Sequence, residues 1–315
     1  MNPDVFSCPA KLNLLLAVTG RRADGFHELV SVVTPVGLAD TLMVEPAVEF
    51  SLECDDPMVP SDGTNLVLKA AEAFGAATGW DGGAKFVLTK RIPSGAGLGG
   101  GSSDAAAALV ALNRLAGGLL APGALAEVAA KVGSDCPLFL TGGPVVIRGR
   151  GERVEKLAQP VAAKLRGRAV LVFKPGFAIA TPWAFGQLAA AAKPMAAWAA
   201  LGGAMAVNAS NGSDGYRAPD DAEARLADFG QTVMSGGSWE KRLFNDLERV
   251  AFAKFVALPV LLGQLRSKFG LEPRMSGSGS ACFTLLPDGA PVTEITATVR
   301  EAWGGSALVV ETQLT

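Results

Sequence analysis

A chain of 315 residues that is 49% hydrophobic and 18% charged has room for two domains and enough apolar surface for a core in each. Its formal net charge of −2, without a basic cluster or an acidic tail, argues against nucleic acid as a partner. Cys8, Cys54, Cys136 and Cys282 lack C-x-x-C spacing, the single histidine cannot complete a zinc set, and no apolar run approaches the roughly 18–20 residues of a membrane span, so no metal site and no membrane are expected.

Residues 5–50 read mainly as strand, in four runs at 5–8, 12–18, 29–36 and 41–44, with turn chemistry at R-A-D-G, residues 22–25. Residues 65–78 form an alanine-rich amphipathic helix with Thr64 as its N-cap. A strand at 85–90 leads into a glycine-rich loop, followed by helices at 103–115 and 122–132 and short strands at 145–148 and 169–173. The stretch 187–238 joins alanine-rich helix to an N-A-S-N-G-S-D-G loop and is expected to carry little chemistry. Helices at 245–255 and 258–269 and strands at 282–286 and 307–312 complete the chain. Strands and helices do not alternate strictly, which predicts an α+β fold. A break near 159–166 predicts two domains, 1–163 and 164–315. Met1-Asn2-Pro3-Asp4 has no basic region of the kind that opens a secretory signal, so a cytoplasmic location is expected.

The glycine-rich loop, P-S-G-A-G-L-G-G-G-S-S-D at residues 93–104, is the most informative stretch. Five glycines in seven residues bury nothing, but their N–H groups approach a ligand closely and end at the positive pole of a helix, where phosphate binds well. Gly95, Gly97 and Gly100 match the dinucleotide spacing G-x-G-x-x-G. The acidic residue expected about 20 positions later is missing, because Leu119 and Leu120 stand there. No Gly-Lys-Ser/Thr follows, so this is not a P-loop. What remains is a nucleotide-phosphate loop of another type.

Other residues are weaker signals alone. In P-A-K-L-N-L, alternation puts Leu12, Leu14 and Leu16 on a core face and Lys11 and Asn13 on the other, either a solvated edge or a paired site. Asp135, in G-S-D-C-P-L-F-L, suits a turn or N-cap as well as chemistry. The S-G-S-G-S loop at 276–280 has more glycine than a hairpin needs, and Phe26 beside His27 at a turn suits stacking on a base.

In this order the stretches resemble the GHMP small-molecule kinases, with an N-terminal lysine strand, a P-x-x-x-G-L-G-S/G-S-S loop and a C-terminal glycine-rich loop. Within that superfamily P-A-K-L-N-L-L-L, A-D-G-F-H-E-L, K-P-G-F-A-I-A-T-P-W-A-F, F-N-D-L-E and M-S-G-S-G-S-A-C-F are similar to the subfamily acting on 4-diphosphocytidyl-2-C-methyl-D-erythritol, in the non-mevalonate route to isoprenoid precursors. The resemblance implies a two-domain fold, an N-terminal domain like the second domain of ribosomal protein S5 and a ferredoxin-like C-terminal domain. It implies ATP-dependent phosphorylation of the substrate's 2-hydroxyl, with Asp135 as base and Lys11 beside it. ATP would be held by Asn65 near the adenine and by Pro93, Ser94, Gly95, Ala96, Gly97, Leu98, Gly99, Gly100, Gly101, Ser102 and Ser103. Asn13, Phe26, His27, Thr181, Pro182 and Phe185 would bind a substrate with a cytidine diphosphate moiety, Phe26 and Phe185 sandwiching the cytosine. Phe26 stands where the family more often has tyrosine, which keeps the π-face and loses a hydroxyl. Mg²⁺ would arrive with the nucleotide. A monomer or weak homodimer is expected. The competing readings are another GHMP kinase of mevalonate or homoserine type, a non-catalytic nucleotide-binding relative, and a dinucleotide oxidoreductase.

Overall fold

A computed structural model describes residues 3–192 and 215–315. The four strand runs expected before residue 50 merge into two long strands, β1 (Asp4–Arg21) and β2 (His27–Ala47), paired antiparallel along their length. β2 meets β4 (Gly83–Thr89) with one end and β5 (Val145–Gly149) with the other. β3 (Ser51–Cys54) and β6 (Arg153–Lys156) extend these two branches. The seventh strand is β8 (Phe244–Asn245), parallel to β1 at Leu15 and Leu16. The sheet built by the first half therefore takes one edge from the second.

Helices cover one face of this sheet: α1 (Leu66–Thr78), α2 (Gly100–Leu115), α3 (Pro122–Val132) and the six-residue α4 (Cys136–Thr141). Ala105, Ala108, Leu109 and Leu112 of α2 pack with Phe74 of α1 and with Leu42, Val44, Phe86 and Leu88 from β2 and β4. Alanine at these positions lets the two helices approach closely. The N-cap of α1 is Asn65 rather than Thr64: its side chain accepts from the Val67 N–H at 2.9 Å. The Thr64 hydroxyl is instead held by Asp62 at 2.6 Å.

The break expected near 159–166 is a short helix, α5 (Gln159–Leu165). Beyond it β7 (Ala169–Lys174), β9 (Arg274–Met275), β10 (Cys282–Leu285) and β11 (Leu308–Gln313) form a four-stranded antiparallel sheet in the order β11-β7-β10-β9. Its helices are α6 (Thr181–Ala192), α7 (Pro219–Ser235), α8 (Glu248–Lys254), α9 (Ala257–Phe269) and α10 (Val292–Trp303). The N-A-S-N-G-S-D-G stretch lies outside the described residues except for its last glycine, Gly215. No single described helix is long and apolar enough to cross a membrane.

Simple alternation fails in β1. The register shifts between Asn13 and Leu15, so Leu12, Leu14 and Leu15 all pack with Val170, Val172 and Phe283 of the second sheet. Leu16 joins a different cluster with Val33 and Phe173. The irregularity lets two neighbouring residues share a face and re-aims the strand beside Lys11 and Asn13.

Candidate active site

A cavity of about 1240 Å³ runs between the two sheets' loops. One end is the glycine-rich loop. Gly99, the N-cap of α2, is left-handed at φ 72° with no side-chain cap, so the helix starts at Gly100, three residues before the expected Ser103. The first N–H groups of a helix have no intrahelical acceptor, and Gly100, Gly101 and Ser102 line the cavity. A side chain at Gly99 would put its Cβ 3.0 Å from both Lys11 Cγ and Phe139 Cζ. Glycine there serves the turn and the close approach of Lys11.

The second glycine loop closes on the first. Ala281 N–H donates to Ala96 O at 3.0 Å, and the Ser276 hydroxyl donates to Gly97 O at 3.2 Å. Asn245, from F-N-D-L-E, braces that loop by donating to Met275 O at 2.8 Å and Gly277 O at 2.7 Å. At Gly97, with φ +76°, an added Cβ would sit 2.3 Å from the backbone oxygen of Ser276. Gly97→Ala is expected to cost at least about 2 kcal/mol from left-handed strain and backbone collision, a fall of roughly 4–8 °C in thermal midpoint. A melt within 1 °C or so of wild type would show the loops free to part.

Lys11 and Asp135 meet at the mouth of this loop, 3.7 Å apart between Nζ and Oδ2. Lys11 is 6% exposed and Asp135 35% exposed, which excludes the solvated-edge alternative for Lys11. Asp135 occupies the N-cap position of α4, yet its side chain makes no cap bond. Its carboxylate is therefore left to face Lys11. Lys11 Nζ also donates to Asn13 Oδ1 at 2.5 Å, and Asn13 Nδ2 donates to the Ser31 hydroxyl at 2.9 Å. This chain fixes the ammonium within a buried setting, where charge interactions are stronger than in water.

The other end of the cavity is aromatic. An Asx turn, with Phe26 N–H donating to Asp24 Oδ1 at 3.1 Å, presents Phe26 half-exposed at the β1–β2 hairpin tip. The Arg150 guanidinium lies 5.0 Å from its ring centroid. His27 is buried against Phe185, with ring centroids 5.1 Å apart. Burial, and then the charge of Arg21, hold the His27 pKa below the usual histidine value, so the ring is neutral at pH 7. Thr181 and Ser278 hydroxyls lie 2.7 Å apart, joining α6 to the second glycine loop.

Behind the glycine-rich loop lies a buried charge cluster. Lys90 Nζ donates to Asp40 and, at 2.7 Å, to Asp104 Oδ2. Asp40 also accepts from the N–H groups of Arg91 (2.5 Å) and Ile92 (2.8 Å), where the chain enters the loop. Asp104 lies in α2 where the chain leaves it. The cluster thus clamps both ends of the loop. Burial pushes the Asp104 carboxyl up to about 7, with Lys90 pulling against it. Burial also works against the Lys90 ammonium, but Asp104 and Asp40 outweigh it and hold its pKa above the ordinary lysine value.

Of the residues singled out in the sequence, Lys11, Asn13, Phe26, His27, Asn65, residues 93–102, Asp135, Thr181, Pro182 and Phe185 all line the one cavity. Ser103 does not: it is buried, and among the described residues its hydroxyl has no hydrogen-bond partner. Asn65 lines the wall while both its polar groups are engaged, capping Val67 and donating to Pro60 O. Sequence reasoning gave no role to Arg150, Lys90 and Asp40, which belong to no recognisable spacing, or to Asp104, the last residue of the glycine-rich stretch. It also set aside the stretch containing Tyr216, whose hydroxyl reaches His27 Nε2 at 3.3 Å.

Residues 65–143 match the family model for the GHMP kinase N-terminal domain. The chain is 39% identical over 287 residues to 4-diphosphocytidyl-2-C-methyl-D-erythritol kinase from Synechococcus sp. strain CC9902, covering 90% of this chain and 87% of that protein. Its structure superposes on a crystal structure of 4-(cytidine 5'-diphospho)-2C-methyl-D-erythritol kinase with a TM-score of 0.72 and 33% identity, covering 99% of this chain and 100% of the other. Homoserine kinase from Cytophaga hutchinsonii has a TM-score of 0.70 at 16% identity, covering 98% and 94%, a likeness of fold.

Proposed function

The chain belongs to the 4-diphosphocytidyl-2-C-methyl-D-erythritol kinases of the GHMP superfamily, and we propose that its cleft transfers the γ-phosphoryl group of ATP to that substrate's 2-hydroxyl. The observation that carries this is the Lys11–Asp135 pair at the glycine loop, in a cavity whose other end holds Phe26, His27 and Phe185. A phosphate site and a flat aromatic site flank one acid–base pair.

In this reading Asp135 takes the proton of the 2-hydroxyl as its oxygen attacks the γ-phosphorus and the bond to the leaving ADP breaks. Lys11 stabilises the developing alkoxide. Residues 93–102 hold the phosphates in line, where catalysis is mostly positioning and charge stabilisation. Asn65 borders the adenine, and Ser103 supports the loop from behind rather than touching phosphate. Asn13 and Thr181 bind the sugar-alcohol side, His27 reads the base edge, and Phe26 and Phe185 stack on it with Pro182 closing the pocket. Among the described residues no group of three or more His, Cys, Asp or Glu side chains is placed to hold a metal ion. The Ser102 hydroxyl, in the cavity wall at the glycine loop, would suit Mg²⁺ carried by ATP, which needs few protein oxygens. When bound, the ion neutralises charge on the β- and γ-phosphates.

The test is ATP-dependent phosphoryl transfer with the cytidine diphosphate compound, mevalonate and homoserine offered in parallel. Turnover confined to the first supports the proposal, and turnover of another alcohol overturns the cytidine assignment. Phe185→Ala is expected to raise the KM of the cytidine compound about 5- to 100-fold, from lost base stacking, with the KM of ATP within about twofold. Equal effects on both would remove the stacking role.

A further inference from the structure

Tyr216 lies within the stretch expected to carry little chemistry, yet it is buried against the candidate base site. Its hydroxyl lies 3.3 Å from His27 Nε2, and the two rings are 5.8 Å apart. The neighbouring backbone is fixed: Arg217 N–H donates to Val18 O at 3.1 Å, and its guanidinium forks onto both oxygens of Asp246. Asp246 in turn accepts from the Val18 N–H at 3.0 Å. The phenol is therefore held beside the imidazole by the same strand that carries Lys11. Among the described residues no hydrogen bond engages His27 Nδ1, although His27 lines the cavity.

We propose that Tyr216 donates its hydroxyl proton to Nε2 of His27, holding the ring as the Nδ1–H tautomer and so making His27 a discriminator of cytosine from uracil. The second half rests on the cytidine reading above. A neutral imidazole offers one donor and one acceptor, and the bond made by one nitrogen sets the role of the other. A phenol is a better donor than acceptor, so Nε2 is the acceptor and Nδ1 carries the proton. Cytosine presents acceptors at N3 and O2, which an Nδ1–H satisfies. Uracil carries a proton on N3, and two donors would then oppose each other in a largely buried site, where an unmade hydrogen bond is costly. Tyr216 acts through His27 and is a positioning residue.

The chain has one histidine, so a two-bond ¹H–¹⁵N spectrum of untagged protein reports His27 alone. The Nδ1–H pattern is expected in wild type, moving to Nε2–H or a mixture in Tyr216→Phe. With cytidine and uridine forms of the substrate, Tyr216→Phe is expected to narrow the ratio of kcat/KM values about 10-fold, chiefly by admitting uridine. The Nε2–H pattern in wild type, or one tautomer shared by both proteins, overturns the proposal. A shifted tautomer with an unchanged ratio overturns the discrimination and leaves the tautomer assignment standing. Wild-type turnover of a different alcohol and neither base's compound overturns the cytidine reading, and the spectrum, which needs no substrate, keeps that failure distinct.

Discussion

Asp135→Asn is expected to lower kcat by about 10³-fold or more, toward the upper end of what a general base contributes, while the Kd for ATP changes less than about threefold. The amide keeps the size and planar shape of the carboxylate but cannot take a proton. Because the Asp135 side chain makes no cap bond and is about one-third exposed, the exchange disturbs little of α4. Lys11 then keeps its bond to Asn13 but loses its anionic neighbour. Single-turnover transfer measured beside calorimetric ATP binding separates the two quantities. Near-normal transfer by the variant would remove Asp135 from the base role and leave the glycine loop as the main source of rate. A parallel loss of ATP binding would instead make Asp135 part of the nucleotide site.

Much of the cleft was legible because a loop so rich in left-handed, closely approached glycines is a backbone that few sequences supply. Gly97 and Gly99 must be left-handed and must also let Ser276 and Lys11 come close, and both requirements leave glycine in the chain. The catalytic roles proposed for Lys11 and Asp135 were not legible from their surroundings and came through resemblance. The Lys90–Asp40–Asp104 cluster was invisible for a different reason: its members lie 50 and 14 positions apart, and only the pairing of β2 with β4 brings them together. Tyr216 was hidden by the composition around it. The helix α10, V-T-E-I-T-A-T-V-R-E-A-W, went unread because threonine and β-branched residues favour strands. Its buried Ile295, Thr298 and Val299 show that packing on one face decided its conformation, against that local preference. The F-N-D-L-E stretch reads as helix locally, but Phe244 and Asn245 pair with β1 and free Asn245 to brace the second glycine loop.

Lys90→Met is expected to destabilise the fold by about 3–5 kcal/mol, the range for stripping one partner from a buried ion pair. Asp40 is fully buried and Asp104 nearly so, and without the ammonium two carboxylates face each other out of water. A methionine fills most of the volume, so the loss is electrostatic rather than a cavity. The pH dependence carries the sign. The folded Asp104 carboxyl is raised to about 7, so the native state keeps a proton that the unfolded chain releases in the ordinary carboxylate range. Its contribution is full below about pH 4 and lost as pH rises through about 7. Removing Lys90 takes away the charge that pulls the Asp104 carboxyl down, so it rises further and the variant's deficit against wild type should be larger at pH 8 than at pH 5. Asp104→Asn removes one titrating group, flattening the slope between about 4 and 7 and recovering part of the stability when combined with Lys90→Met. Denaturant midpoints of the four proteins at both pH values complete this double-mutant cycle. Equal stability of wild type and Lys90→Met at pH 8 would show that water or local relaxation already screens the cluster. Because Asp40 also holds the Arg91 and Ile92 amides at the entry to the loop, the same variant should weaken ATP binding more than binding of the cytidine compound. A clamp under the phosphate loop predicts that split, and a general loss of stability does not.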